Sequence, residues 1–149
     1  KDDFRIIKSA DIIETLTSTS KMFTVMVVAV AAISLIVGGI GIANIMLVSV
    51  VERTREIGIR KAVGATNSAI LRQFLAEAVI IAAMGGAIGI CLGVAIAFGA
   101  SNSFKFPLVI SPWSIFLGFS LTFIIGLLAG VIPARNAARL DPIEALRGD

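Results

Sequence analysis

The chain has 149 residues, of which 57% are hydrophobic and 15% charged, and its mean hydropathy is +0.98. That balance excludes an ordinary water-soluble domain and points to the bilayer. With no His, no Tyr and a single Cys (Cys91) inside an apolar run, the usual general bases and any His/Cys metal cluster are missing, which argues against an enzyme. The net charge of +3 does not signal nucleic acid, because the basic residues flank apolar stretches and are not interleaved with aromatics. Membrane orientation accounts for them better.

The first residue is Lys1, and no short apolar core with a small-residue cleavage site follows it. The expectation is the C-terminal piece of a longer polypeptide. Phe4, Arg5, Ile6 and Ile7 read as the end of a strand left from an outer domain. Over residues 9–21, Ile13, Leu16 and Ser20 lead to Phe23 at helical spacing, and Asp11 and Glu14 are placed like a capping box. Residues 1–21 are therefore expected to hold the end of an extracytoplasmic domain and a stalk helix that runs on into the membrane.

Three stretches carry no charge: 22–51, 78–104 and 106–134, of 30, 27 and 29 residues. A bilayer core of about 30 Å needs about 20 helical residues, so each can cross it. The predicted spans are about 22–51, 78–100 and 113–134. Eight of the 13 basic residues lie between Glu52 and Glu77 or after the third span, and five lie on the other side. The positive-inside rule then puts the segment 52–77 and the C-terminal tail 135–149 in the cytoplasm. The loop at Lys105, with Pro107, Pro112 and Trp113, faces outward.

Lipid gives helices no hydrophobic reason to associate, so close approach through small residues must do much of the work. Small residues recur every four positions: Ser34/Gly38 and Gly39/Ala43, with Gly41 between, in the first span; Gly85, Gly89, Gly93 and Ala97 in the second; Gly118, Thr122, Gly126, Gly130 and Ala134 in the third. They serve either packing within one chain or a seam with a second copy, expected in the first helix. Asn44 either bonds across helices or sits near the headgroups.

Residues 52–64 read as a short amphipathic helix. Ile59, Ala62 and Val63 share one arc, and Arg53, Glu56, Arg60 and Lys61 occupy the opposite one. Gly64 stops this helix in a left-handed conformation, and Thr66 or Asn67 caps the next, which enters the second span without a break. Either it is an interfacial anchor, or its charged face docks into another protein. At the tail, Asp141 as cap, Pro142 at the first helical position and Glu144 two further on start another short helix.

The run 37–50, with Gly38-Gly39-Ile40-Gly41 and Ala43-Asn44, continues as Glu52-Arg53-Thr54-Arg55-Glu56-Ile57-Gly58-Ile59-Arg60-Lys61-Ala62-Val63-Gly64. Together with Gln73-Phe74-Leu75-Ala76-Glu77-Ala78 and Pro133-Ala134-Arg135-Asn136-Ala137-Ala138-Arg139-Leu140-Asp141-Pro142-Ile143-Glu144, it resembles the FtsX-like permease domain of ABC transporters, closest to the macrolide-exporter (MacB-type) branch. The resemblance implies an all-α membrane protein with three transmembrane helices here, a cytoplasmic coupling helix at 52–64 and an extracytoplasmic stalk, with the permease domain over 22–149. It implies a permease half of a bacterial inner-membrane exporter, paired with a second permease copy. The partners it implies are an ABC ATPase that carries the ATP and Mg, a periplasmic adaptor and an outer-membrane channel. This chain has no Gly-x-x-x-x-Gly-Lys-Ser/Thr loop and no cofactor of its own is expected. Glu52, Arg53, Thr54, Arg55, Glu56, Ile57, Gly58, Ile59, Arg60 and Gly64 are the residues the resemblance assigns to ATPase coupling. Ser34, Gly38, Gly39, Gly41, Ala43, Gly85, Gly89, Gly93, Gly126 and Gly130 are the candidates for helix packing and dimer formation. The resemblance also implies mechanotransmission, in which ATP hydrolysis drives a conformational change outside the membrane and no solute threads the spans. Alternatives are a cell-division-type regulator of cell-wall hydrolases and a lipoprotein-releasing permease.

Overall fold

The computed structural model describes residues 3–105, 107 and 109–147. They form five helices: α1 Asp3–Glu52, α2 Thr54–Ala62, α3 Asn67–Phe104, α4 Pro112–Arg139 and α5 Pro142–Arg147. Among the described residues there is no strand. Residues 4–7, expected as a strand end, are helical. A strand needs a neighbour to pair its backbone groups, whereas a helix satisfies its own. Asp11 does not start a helix either: it lies within α1, and its carbonyl accepts a hydrogen bond from Thr15 Oγ1 at 2.8 Å.

The chain divides into two units, with the boundary between Ile36 and Val37. The first is a single helical stretch whose described side chains are almost all exposed. Its hydroxyls bond back to the helix itself, Thr17 to the carbonyl of Ile13 and Thr24 to that of Ser20.

Three helical segments are long and apolar enough to cross a membrane: Asp11–Glu52, Asn67–Phe104 and Pro112–Arg139, of 42, 38 and 28 residues. The last continues five residues beyond the uncharged run, so the first part of the expected tail is helical. Pro133 lies inside it and is buried without ending it. Proline removes one helical donor, which a helix packed against neighbours tolerates.

The second unit, Val37–Asp149, is built on the pairing of α3 with α4. Its core gathers at the end where α2 lies, from Met46 and Val50 of α1, Ile57 of α2, Ile70, Phe74 and Ala78 of α3, and Ala134, Ala137 and Ala138 of α4. Phe74, Met46, Ile57 and Ile70 are fully buried. Beside a helix as charged as α2 the alternative to burial is water, so each large side chain here contributes about 1.5–3 kcal/mol. Farther along α3 and α4 the closest approaches of the seam are between Ala and Gly, with Thr122 against Gly86, and contact replaces hydrophobicity as the source of attraction.

Candidate functional site: the elbow between the first two spans

The chain leaves α1 through one non-helical residue, Arg53 (φ −100°, ψ 12°). Backbone bonding continues across the bend: Arg53 N–H reaches the carbonyl of Ser49 at 3.1 Å, and Ile57 N–H that of Arg53 at 3.0 Å. Thr54 Oγ1 adds a bond to the carbonyl of Val50 at 3.0 Å. At the far end, Gly64 takes φ 102°. Its N–H meets the carbonyl of Lys61, and that of Ala65 meets the carbonyl of Arg60. This pair of bonds is the Schellman arrangement, and the left-handed residue it requires is best supplied by glycine. Thr66 then caps α3, its Oγ1 accepting from Ala69 N–H at 3.2 Å. The elbow thus has a sequence-encoded entrance and exit.

A nine-residue helix is not stable alone in water, so its neighbours decide how α2 lies. Ile57 and Gly58 are buried beneath it. Arg53 pairs with Glu77 at 3.1 Å, and Arg60 Nη1 donates to Gln73 Oε1 at 2.7 Å while also pairing with Glu56. Gln73 Nε2 donates to Glu77 Oε1 at 3.4 Å, which links these groups into one chain along α3. Lys61 Nζ donates to the carbonyls of Ala138 and Leu140 at 2.6 and 2.7 Å. The ion pairs are half-exposed and worth about 0.2–1 kcal/mol each.

Arg53, Arg60 and Lys61 of the polar arc therefore reach to α3 and the end of α4, while Glu56 stays exposed. The apolar arc faces out: Ile59 is 49% and Val63 82% exposed, beside exposed Arg55 and Ala62. The reason is what α2 packs on. Gln73, Glu77 and the carbonyl end of α4 offer acceptors, so Arg53, Arg60 and Lys61 turn inward around Ile57, and side chains half a turn away are left free. Glu52 and Asn44 are exposed on α1, lining with Ile45, Val48 and Ser49 a shallow, mainly apolar strip. Asn44 makes no hydrogen bond across helices among the described residues. Asp141 Oδ1 accepts from Ile143 N–H at 2.8 Å and starts α5.

The small residues divide sharply. A β-carbon on Gly126 would collide with Ala82 and approach the carbonyl of Ala78, and one on Gly130 would collide with Ala78. On Gly39 it would come within 2.7 Å of Ile125 Cγ2. On Gly38, Gly41, Gly85, Gly89 or Gly93 it would meet open space. Ser34 is exposed and Ala43 partly buried. The face of α3 that meets α4 is not the Gly85/Gly89/Gly93 row but Ala78, Ala82 and Gly86, with Gly86 against Thr122. That row was signalled by the same four-residue spacing, running on from Phe74. Gly39→Leu is therefore expected to lower folded stability by about 1–3 kcal/mol, the usual cost of overpacking, whereas Gly38→Leu should leave it within about 0.5 kcal/mol. Denaturant titration of the two variants in detergent checks the pair.

The described residues are helical apart from short connections, with three helices long and apolar enough to cross a membrane and the short α2 between the first two, an arrangement that fits the membrane part of a larger protein. Residues 28–142 match the FtsX-like permease C-terminal family, and the chain belongs to it. Its curated relatives include the macrolide export ATP-binding/permease protein MacB of Agrobacterium fabrum, 52% identical over 149 residues that make up 99% of this chain and 23% of the relative. The proteins of that name from Bdellovibrio bacteriovorus and Shewanella oneidensis are 49% and 50% identical over 146 residues each, covering 98% and 97% of this chain and 22% of each relative. The chain thus spans less than a quarter of the length of these relatives.

Proposed function

We propose that this chain is the permease part of a bacterial inner-membrane ABC exporter of the MacB kind, working by mechanotransmission. The observation that carries the reading is likeness over nearly the whole chain to proteins described as macrolide export ATP-binding/permease proteins. ATP and Mg bind an ATPase elsewhere in the same polypeptide or in a separate subunit. α2 lies on the cytoplasmic side with the C-terminus and is the element that ATPase moves. Its free face, Arg55, Ile59 and Val63, supplies a cation that is unpaired among the described residues, set among apolar side chains, which suits an apolar hollow bordered by a carboxylate. The spans carry no charged residue at mid-membrane, so they transmit displacement rather than conduct a polar solute. α1 passes the displacement outward. A second permease copy completes the transporter, meeting this one along Ser34 and Gly38, and a periplasmic adaptor and outer-membrane channel receive the cargo.

The test is Arg55→Glu in the complete transporter in proteoliposomes, with a macrolide as cargo. Export should fall at least tenfold while ATP hydrolysis persists and the spans remain inserted. Export at the wild-type rate would show that the outward face of α2 is not the docking face.

A further inference from the structure

We infer that Lys61 is the positioning residue that sets the roll of α2 on the bundle, by closing the carbonyl end of α4. The inference rests on the reading of α2 as the element moved by the ATPase.

The last carbonyls of a helix have no partner within it. α4 ends without a left-handed glycine, its cap residue Leu140 standing at φ −53° and ψ 132°. The closure comes instead from 77 residues away in sequence, where Lys61 Nζ lies 2.6 Å from the carbonyl oxygen of Ala138 and 2.7 Å from that of Leu140, partly buried. An ammonium there also meets the negative end of the α4 dipole. The turn it closes is a packed one, since Ala137 and Ala138 are 0% and 5% exposed and belong to the cluster that contains Ile57.

The other side-chain ties of the elbow go to α3, from Arg53 to Glu77 and from Arg60 to Gln73, and back to α1, from Thr54 Oγ1 to the carbonyl of Val50, and α2 also packs along α5. Without Lys61, α2 keeps no side-chain hydrogen bond among the described residues to the end of α4, from which the chain runs on into α5, so its roll is less constrained. Lys61 lies one turn beyond Ile57 and is the side-chain hydrogen bond that holds α2 to α4 among the described residues. The tie at Lys61 therefore narrows the roll of α2, and with it the direction in which Arg55 and Ile59 point.

The experiment uses the full-length polypeptide in nanodiscs, with Cys91→Ser and nitroxide labels on Ala62→Cys and Asn136→Cys, both exposed positions. With Lys61 present the label distance should be narrowly distributed. Lys61→Met keeps the apolar stem but removes the ammonium, and should broaden the distribution at least twofold; Lys61→Arg, which keeps a cation at the carbonyls, should restore it. An unchanged width in Lys61→Met overturns the inference. Should that variant not accumulate, Lys61→Gln serves, and a wild-type width there overturns it equally. Export per ATP is measured on the same proteins and should fall at least fivefold with Met and recover with Arg. A broadened distance with export per ATP unchanged upholds Lys61 as the tie, and overturns the assignment of α2 as the coupling element.

Discussion

Gly126→Ala combined with Gly130→Ala is expected to lower the stability of the helical bundle by about 2–6 kcal/mol, read as the shift in a denaturant titration in mixed micelles, from about 1–3 kcal/mol for each overpacked site. Each added methyl would occupy the position of an existing β-carbon, that of Ala82 or Ala78, with the Ala78 carbonyl also near the first. Neither neighbour has a rotamer to change, so the strain falls on the distance between the α3 and α4 backbones. Widening that distance removes short-range attraction along the whole seam, where no hydrophobic force pulls the helices back together. Gly89→Ala is the control. It meets open space and should cost nothing, or stabilise slightly through helix propensity. Equal losses at Gly89 and at the Gly126/Gly130 pair would mean that the seam is not where the strain arises.

Ile59→Pro is expected to abolish export with the three spans still inserted. Proline at the centre of a nine-residue helix removes the bond from residue 59 to the carbonyl of Arg55 and clashes with that carbonyl, at about 3 kcal/mol or more. The helix has little of its own to set against this. Its ties at Arg53, Ile57, Arg60 and Lys61 are spaced for an unbroken helix, so a kink cannot satisfy them all. α3 and α4 hold each other through the seam and should survive. Wild-type export by the complete transporter carrying this variant, with limited proteolysis showing an intact bundle, would remove α2 from the coupling path.

The sequence made some features legible and concealed others for physical reasons. Uncharged runs marked the spans because a bilayer penalises charge. Gly64, Thr66 and Asp141 marked helix ends because orphan backbone groups need those residue types. The roll of α2 was not legible. A helical wheel reports which residues share an arc, not what the arc will meet, and the acceptors that drew Lys61 inward are main-chain carbonyls at the end of α4, which no side-chain pattern announces. The small-residue spacing identified the α4 side of the seam at Gly126 and Gly130, but α3 carries two such rows and the richer one in glycine faces away. Gly38 and Gly39 are adjacent in sequence, yet only Gly39 turns to Ile125. The strand expected at residues 4–7 failed because short apolar runs are ambiguous between strand and helix.

Alanine and glycine have no rotamers to freeze, so closing the α3–α4 seam where Gly126 and Gly130 meet Ala82 and Ala78 costs almost no side-chain entropy. Nor does it strip water from apolar surface, the process that gives folding its large heat capacity. The two ends of this bundle should therefore respond differently to cold: attraction along the glycine seam should hold nearly constant, while the cluster around Phe74 weakens on cooling. The elbow is the part of the molecule whose rigidity temperature can tune.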